Sequence, residues 1–346
     1  DYDGTASSLL VEPQRTNLIT YSEDFSEWTT EGNIEVTDNS IISPDGVQNA
    51  AKLQLTGSSS GTDGKIGFSV SPSATTHTFS LFAKKGNHDY IYIWMSIVGG
   101  VNITRWINLD DGSINEGGGT ATVTTTSFSN DWWKIEYTFD ATDLSSIKLE
   151  VADDGASTGT GGDNIYVWGA QLEAGSYATS YIPTDGSTVT RVQDQYSKTG
   201  ISNLINSEEG VLFVEMAALS DDSTNRMLSL YSSGNDKLTL FYKTASNSMT
   251  VQGFVGGGLQ INRTIVLTDI TEFSKIAIRY KTNDFAWYVD GIKITDDTST
   301  NTWSADTLNK LSFDDGAGGN PLFAKVKQLQ VFKTALTDTE LATLTT

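Results

Sequence analysis

Cysteine is absent from the 346 residues, so neither disulfides nor thiolate metal sites contribute to this fold. Small secreted domains often lean on disulfides; this chain is expected to stand on packing alone. Histidine is scarce, with His77 and His88 the only two, too few for an ordinary zinc site. No run of about 18 apolar residues occurs, which excludes an apolar helical span and so membrane insertion of that kind. The opening DYDGTASSLL has no Met and no basic-then-apolar leader pattern, and reads as a processed chain or a piece of a longer one. Basic residues are the scarce sign: 22 Lys and Arg face 43 Asp and Glu, for a net charge of −21. The imbalance lies in residues 1–185, with 25 acidic and 8 basic groups against 18 and 14 in residues 186–346. Such a surface repels a phosphate backbone, so no nucleic-acid partner is expected. It does offer oxygen ligands to a hard cation.

Helical periodicity is also missing, apart from one short stretch at the C-terminal end. What remains is strand-length runs alternating with period two, separated by Gly, Asp and Asn turns. IYIWMSI, DWWKIEYTF, SIKLEVA and NIYVWGAQLE are examples in the first half, and GVLFVEMAAL, KLTLFYKT, SKIAIRYK and AKVKQLQVFK in the second. Closely spaced short strands without intervening helices give an all-β protein with two antiparallel β-sandwich (jelly-roll) domains in tandem. The stretch YIPTDGSTVTRVQDQYSKTG carries Pro183, Gly186 and small polar residues without a buried period, as a join would. The expected division is a leading arm at 1–15 packed on the first domain, a first domain at 16–183, a linker at 184–197 and a second domain at 198–346.

LLVEPQRTNLITYSEDFSEW (9–28) and IYVWGAQLEAGSYATSYIPTDGSTVTRVQD (165–194) bracket the first domain. In these two stretches the chain resembles a carbohydrate-binding-module-like jelly roll found in phage tail and spike proteins and related bacterial surface proteins. FAWYVDGIKI (285–294) and KQLQVFKTALTDTELATL (327–344) make the second domain similar to concanavalin A-like, laminin-G-type sandwiches closed by a short helix, with Asp338 spaced to cap it. The resemblance implies a glycan partner, a place in a virion tail or on an extracellular surface, and a homo-trimeric parent protein. Fold-level likeness leaves function to the site.

The sharpest local signal is Tyr90–Ile97, YIYIWMSI. Alternation puts Ile91, Ile93, Met95 and Ile97 on a core face and Tyr90, Tyr92 and Trp94 on the other. If Thr104–Leu109 pairs with it, Trp106 and Asn108 join that second face, and Trp94 and Trp106 share a platform. Flat aromatics stack on the C–H faces of sugars while amides and carboxylates take the hydroxyls. The same face could instead be covered by a second layer, such as the leading arm or the second domain, or form an oligomer contact. Trp303, in the polar stretch TSTNTWSADT, is the expected exposed aromatic of the second domain. Trp168 and Trp28 read as structural. The acidic pairs before Gly or Ser read as solvated turn acids. Modules like the first domain often hold a structural Ca²⁺ between their start and their last strand, and Glu23, Asp24 and Asp163 are the matching positions.

No nucleophile elbow and no phosphate loop is present. Glycosidases place two carboxylates across the scissile bond. Concanavalin-like hydrolases usually take theirs from one strand of alternating acids, whereas Glu215 stands alone in VLFVEMA and both His fall in the first domain. The expectation is a binding protein rather than an enzyme, or alternatively a structural surface protein or the carbohydrate-binding appendage of a polysaccharide-degrading enzyme.

Overall fold

The computed structural model describes residues 8–60, 63–73 and 75–346. Residues 1–7, part of the expected leading arm, lie outside the described residues. The chain forms two compact units, one containing 14–192 and the other containing 8–13 with 193–346. Both are built of antiparallel strands, as the period-two pattern requires.

In the first unit, one sheet runs in the order Ile114–Glu116, Ile103–Asn108, Tyr90–Ile97, Leu144–Val151, Lys65–Ser69 and Thr29–Glu31. The other runs Thr122–Phe128, Trp132–Asp140, Thr76–Lys85, Asn164–Ala174, Gln48–Leu55 and Ile34–Ile42. Between them lies an apolar core in which Ile91, Ile93, Met95 and Leu149 meet Phe79, Leu81, Leu53 and Val167. The Asn164–Ala174 strand carries a bulge between Trp168 and Gln171. Gly169 sits there at φ +68, a left-handed backbone that a side chain rarely tolerates. The bulge resets the alternation. Ile165 and Val167 point into the core before it, and Ala170 and Leu172 after it.

That reset turns Gln171 and Glu173 outward, into a clasp with both ends of the domain. Asn17, fully buried, donates from Nδ2 to the Ala170 and Ile182 carbonyls at 3.1 and 2.9 Å. Its Oδ1 accepts from the Ile19 and Leu172 amides, each at 3.1 Å. The Gln171 side chain accepts from the Ile182 amide at 2.7 Å. Glu173 accepts from the Thr179 amide at 2.5 Å and hydroxyl at 2.7 Å. Burial pushes the Glu173 carboxyl up, and these bonds pull it back. The residues that carry the resemblance thus perform a structural task here: they satisfy buried backbone groups where the chain enters and leaves the sandwich.

In the second unit, one sheet runs Leu9–Val11, Ala324–Phe332, Glu209–Ala218, Ser274–Lys281, Phe285–Val289 and Ile292–Asp297. The facing sheet runs Ser197–Thr199, Lys310–Ser312, Arg226–Ser233, Asp236–Tyr242, Ser248–Val255 and Gly258–Val266. The expected arm on the first domain is therefore corrected. Leu9, Leu10 and Val11 pair with Val326, Lys325 and Ala324, and Val11 enters the core of the second unit. Hydrogen bonding to an otherwise open sheet edge and burial of Val11 outweigh nearness along the chain. The expected linker contributes strand as well: Val189–Arg191 pairs with Arg15–Asn17, and Ser197, its last residue, opens the Ser197–Thr199 strand that pairs with Lys310–Ser312.

The Asp338–Thr345 helix covers the outer face made by Val211, Phe213, Ala277 and Tyr288, with Leu341 fully buried. Its cap is Thr337 rather than Asp338. The Thr337 hydroxyl accepts from the Glu340 amide, and the Glu340 carboxylate accepts from the Thr337 amide at 2.8 Å, a capping box. Asp338 lies in the first turn and pairs with Arg279 at 2.8 Å and Lys293 at 3.0 Å.

Candidate functional site

Tyr90, Tyr92, Trp94, Trp106 and Asn108 come together on the outer face of the first sheet. The Tyr90–Ile97 and Ile103–Asn108 strands pair as the sequence suggests, with Tyr90 opposite Asn108, Tyr92 opposite Trp106 and Trp94 opposite Thr104. The partner of Trp106 is therefore Tyr92 and not Trp94. Their rings stack with centroids 4.4 Å apart and planes 20° from parallel. Trp94 meets Tyr92 edge-on at 6.2 Å. Asn108 Nδ2 donates to the Tyr90 hydroxyl at 3.3 Å.

The Leu144–Val151 strand completes this face. Glu150 lies opposite Tyr92 and Lys148 opposite Trp94, while Lys65 lies opposite Glu150 and Glu31 opposite Lys65. A single row thus crosses six strands as Glu31, Lys65, Glu150, Tyr92, Trp106 and Asn115. Lys65 Nζ stands 5.0 Å from the centre of the Trp94 ring, a cation–π contact. Lys148 pairs with Glu31 at 2.7 Å. The alternation of LSSIKLEV already points Lys148 and Glu150 outward. Their adjacency to Tyr92 and Trp94, some fifty residues earlier, is a matter of register that no local pattern carries.

The face is partly roofed by its own chain. Trp106 Nε1 donates to the Ala156 carbonyl at 3.1 Å, Ser157 Oγ to Glu150 Oε2 at 3.1 Å, and Asn115 Nδ2 to Asp154 Oδ1 at 2.8 Å. Trp94, Trp106, Tyr90 and Asn108 are half-buried. Tyr92 and Glu150 are buried, at 6% and 1% exposure. Burial pushes the Glu150 carboxyl up to about 7 against the pull of the Lys65 charge and the Ser157 hydrogen bond. Glu150 Oε1 and Trp94 Nε1 are buried without a hydrogen-bond partner.

Trp303 does not belong with these residues. At 5% exposure it is part of the core of the second unit, packed edge-on to Tyr280 at 5.7 Å and donating from Nε1 to the Phe254 carbonyl at 2.7 Å. An amphipathic ring inside a polar stretch buries its carbon surface once a carbonyl takes its N–H.

Glu23 and Asp24 share a cavity of about 460 Å³ with Asp38, Asn39, Thr184 and Asp185. Burial, reinforced by the neighbouring Asp24 charge, holds the Asp38 carboxyl above its usual value. Both Glu23 oxygens already accept from protein groups, the Tyr181 hydroxyl at 3.0 Å and the Asn49 amide at 2.9 Å. Asp163 lies elsewhere, accepting from the Thr160 amide at 2.8 Å beside His88 at 3.5 Å. Asn49, which holds Glu23, and Leu55, whose amide bonds the Asp163 carbonyl, are six positions apart on one strand, about 20 Å at the usual rise. The three candidate metal ligands therefore do not form one site. Among the described residues, no group of three His, Asp or Glu is placed to hold a metal ion.

No family model matches the chain, and no curated protein sequence matches it. Among solved structures, it is similar to domain 4 of an extracellular arabinanase from Geobacillus stearothermophilus in complex with arabinotriose, with 11% identity over 49% of this chain and 81% of that one and a TM-score of 0.35. A heptameric SAP-like pentraxin from Limulus polyphemus also shares 11% identity, over 44% of this chain and 74% of that one, with a TM-score of 0.35. Domains LG4-5 of the mouse laminin alpha1 chain share 11% identity over 80% of this chain and 89% of that one, with a TM-score of 0.29.

Proposed function

We propose that this chain recognises a neutral glycan, without catalysis, through the outer face of the first sandwich. The observation that supports this best is the row in which the Tyr92–Trp106 stack lies between the Glu150 carboxylate and the Asn115 amide. Aromatic carbon for C–H faces and flanking acceptors and donors for hydroxyls is the combination that a sugar requires. The acid excess of the first half favours a neutral polymer over an anionic one. In its finer form, following the sequence resemblance, the parent protein is a homo-trimeric phage tail fibre, spike or related surface protein, displayed on a virion or an extracellular surface.

The competing reading is a bracing sandwich that binds no sugar, and the roof over Glu150 and Trp106 favours it. A neutral-oligosaccharide array separates the two. Binding by the wild-type chain that is lost in Trp106→Ala, with the melting temperature showing a folded protein, supports recognition. An array without a hit overturns it.

A further inference from the structure

Most of the polar side chains of the outer face have partners: Trp106, Asn108, Asn115 and Lys148 each donate to a named acceptor. Two atoms stand out. Glu150 Oε1 accepts nothing and Trp94 Nε1 donates to nothing, though both are buried and their strands are hydrogen-bonded neighbours. Trp94 lies opposite Lys148, and Glu150 is two residues further along that same strand, so the pair is a diagonal on one face, within reach of long side chains. A buried donor and a buried acceptor left unmade are each costly, and this face carries one of each.

Resting on the glycan reading above, we infer that Glu150 Oε1 and Trp94 Nε1 together take one sugar hydroxyl, and that segment 154–157 is the cover this sugar displaces. A hydroxyl both donates and accepts, so one such group can meet the carboxylate oxygen and the indole N–H at once. A carboxylate or phosphate on the ligand would satisfy Trp94 but be repelled by Glu150 once that side chain is ionised. The cover is held to the sheet by the three side-chain bonds to Trp106, Asn115 and Glu150. Its residues belong to no strand, and the bond from the Ala156 amide to the Asp153 carbonyl, at 3.2 Å, is its own turn. Lifting it therefore breaks no sheet ladder. It frees Trp106 Nε1 and Glu150 Oε2 in one movement.

The test uses the full chain and the strongest neutral oligosaccharide of the array, titrated calorimetrically. Trp94→Phe keeps the ring and removes the donor. Glu150→Met keeps the shape and removes both acceptor oxygens, and is compared with Ser157→Ala, which removes only the tie to the cover. Trp94→Phe and Glu150→Met are each expected to weaken binding about tenfold. Glu150→Met should do so without lowering the melting temperature, a split that a merely structural glutamate would not give. If Glu150→Met does not fold, Trp94→Phe decides. Asp154→Ala, which removes one tie from the side of the cover and leaves Asn115 in place, should tighten binding; unchanged or weaker binding overturns the cover. If the oligosaccharide binds and Trp106→Ala abolishes binding while Trp94→Phe and Glu150→Met bind like wild type, the shared-hydroxyl site falls and the glycan reading stands. If no neutral oligosaccharide binds the wild-type chain, both fall.

Discussion

Tyr92 and Trp106 are directly opposed across two antiparallel strands and stack at 4.4 Å, which makes them the fixed centre of the outer face. Such a pair contributes about 0.5–1.5 kcal/mol beyond the area it buries. Trp106→Phe keeps the stack but loses the bond to the Ala156 carbonyl. It should cost about 1 kcal/mol in a denaturant melt, and Trp106→Ala about 1–3 kcal/mol. A larger loss for Phe than for Ala would contradict this assignment.

Glu150 makes stability depend on pH. Its carboxyl is raised from 4.5 to about 7, chiefly by burial, so between those values the folded protein keeps a proton that the unfolded chain has released. Its contribution is therefore fully present below about pH 4.5 and is lost as pH rises through about 7, by up to about 3 kcal/mol. Subtracting the melting-temperature profile of Glu150→Gln from that of wild type should leave a curve falling from pH 5 to pH 8. A flat difference would place Glu150 in a more hydrated setting.

Asn17 makes four hydrogen bonds while fully buried. Asn17→Ala strands two carbonyls and two amides and should cost about 3 kcal/mol or more, seen as a drop in denaturant midpoint. Asn17→Asp, which keeps the acceptor and loses both donors, should fall between alanine and wild type only if the new charge is tolerated, and so worsen as pH rises above the carboxylate range.

Thr337→Ala removes the hydroxyl half of the capping box and should cost about 1 kcal/mol. Amide exchange should quicken in 338–345 while the Tyr92–Trp106 region stays unchanged.

Because both Glu23 oxygens are engaged by Tyr181 and Asn49, added calcium followed by chelator should leave the melting temperature unchanged. Glu23→Gln should lower it, since the tyrosine hydroxyl loses a charged acceptor. A calcium-dependent rise would restore the expectation that Glu23 and Asp24 ligate an ion.

Period-two alternation was enough to place Ile91, Ile93 and Met95 inward and Tyr90, Tyr92 and Trp94 outward, because burying one face of a strand is a local demand. The pairing with Ile103–Asn108 was also legible, since five residues separate the two strands. Glu150 was not, because its place beside Tyr92 depends on a long-range register. Gln171 and Glu173 were hidden by the bulge at Gly169, which inverts the alternation in mid-strand. Trp303 misled because its setting of Thr, Asn and Ser reads as a solvated loop, whereas the indole needs only one carbonyl to be buried.

The pairing of Leu9–Val11 with Ala324–Val326 makes the first sandwich a guest, threaded between the first strand of its host and the remainder. A protease cut after Pro13 would leave the host whole in mass but tied only by noncovalent strand pairing. Expressing 193–346 alone would uncover the rim of the Ala324–Phe332 strand, a row of free backbone groups that invites sticking to other chains. A circular permutant that joins the C-terminus to residue 8 and opens the chain at 13 would close that rim again, and it would turn a discontinuous unit into one that can be made and melted by itself.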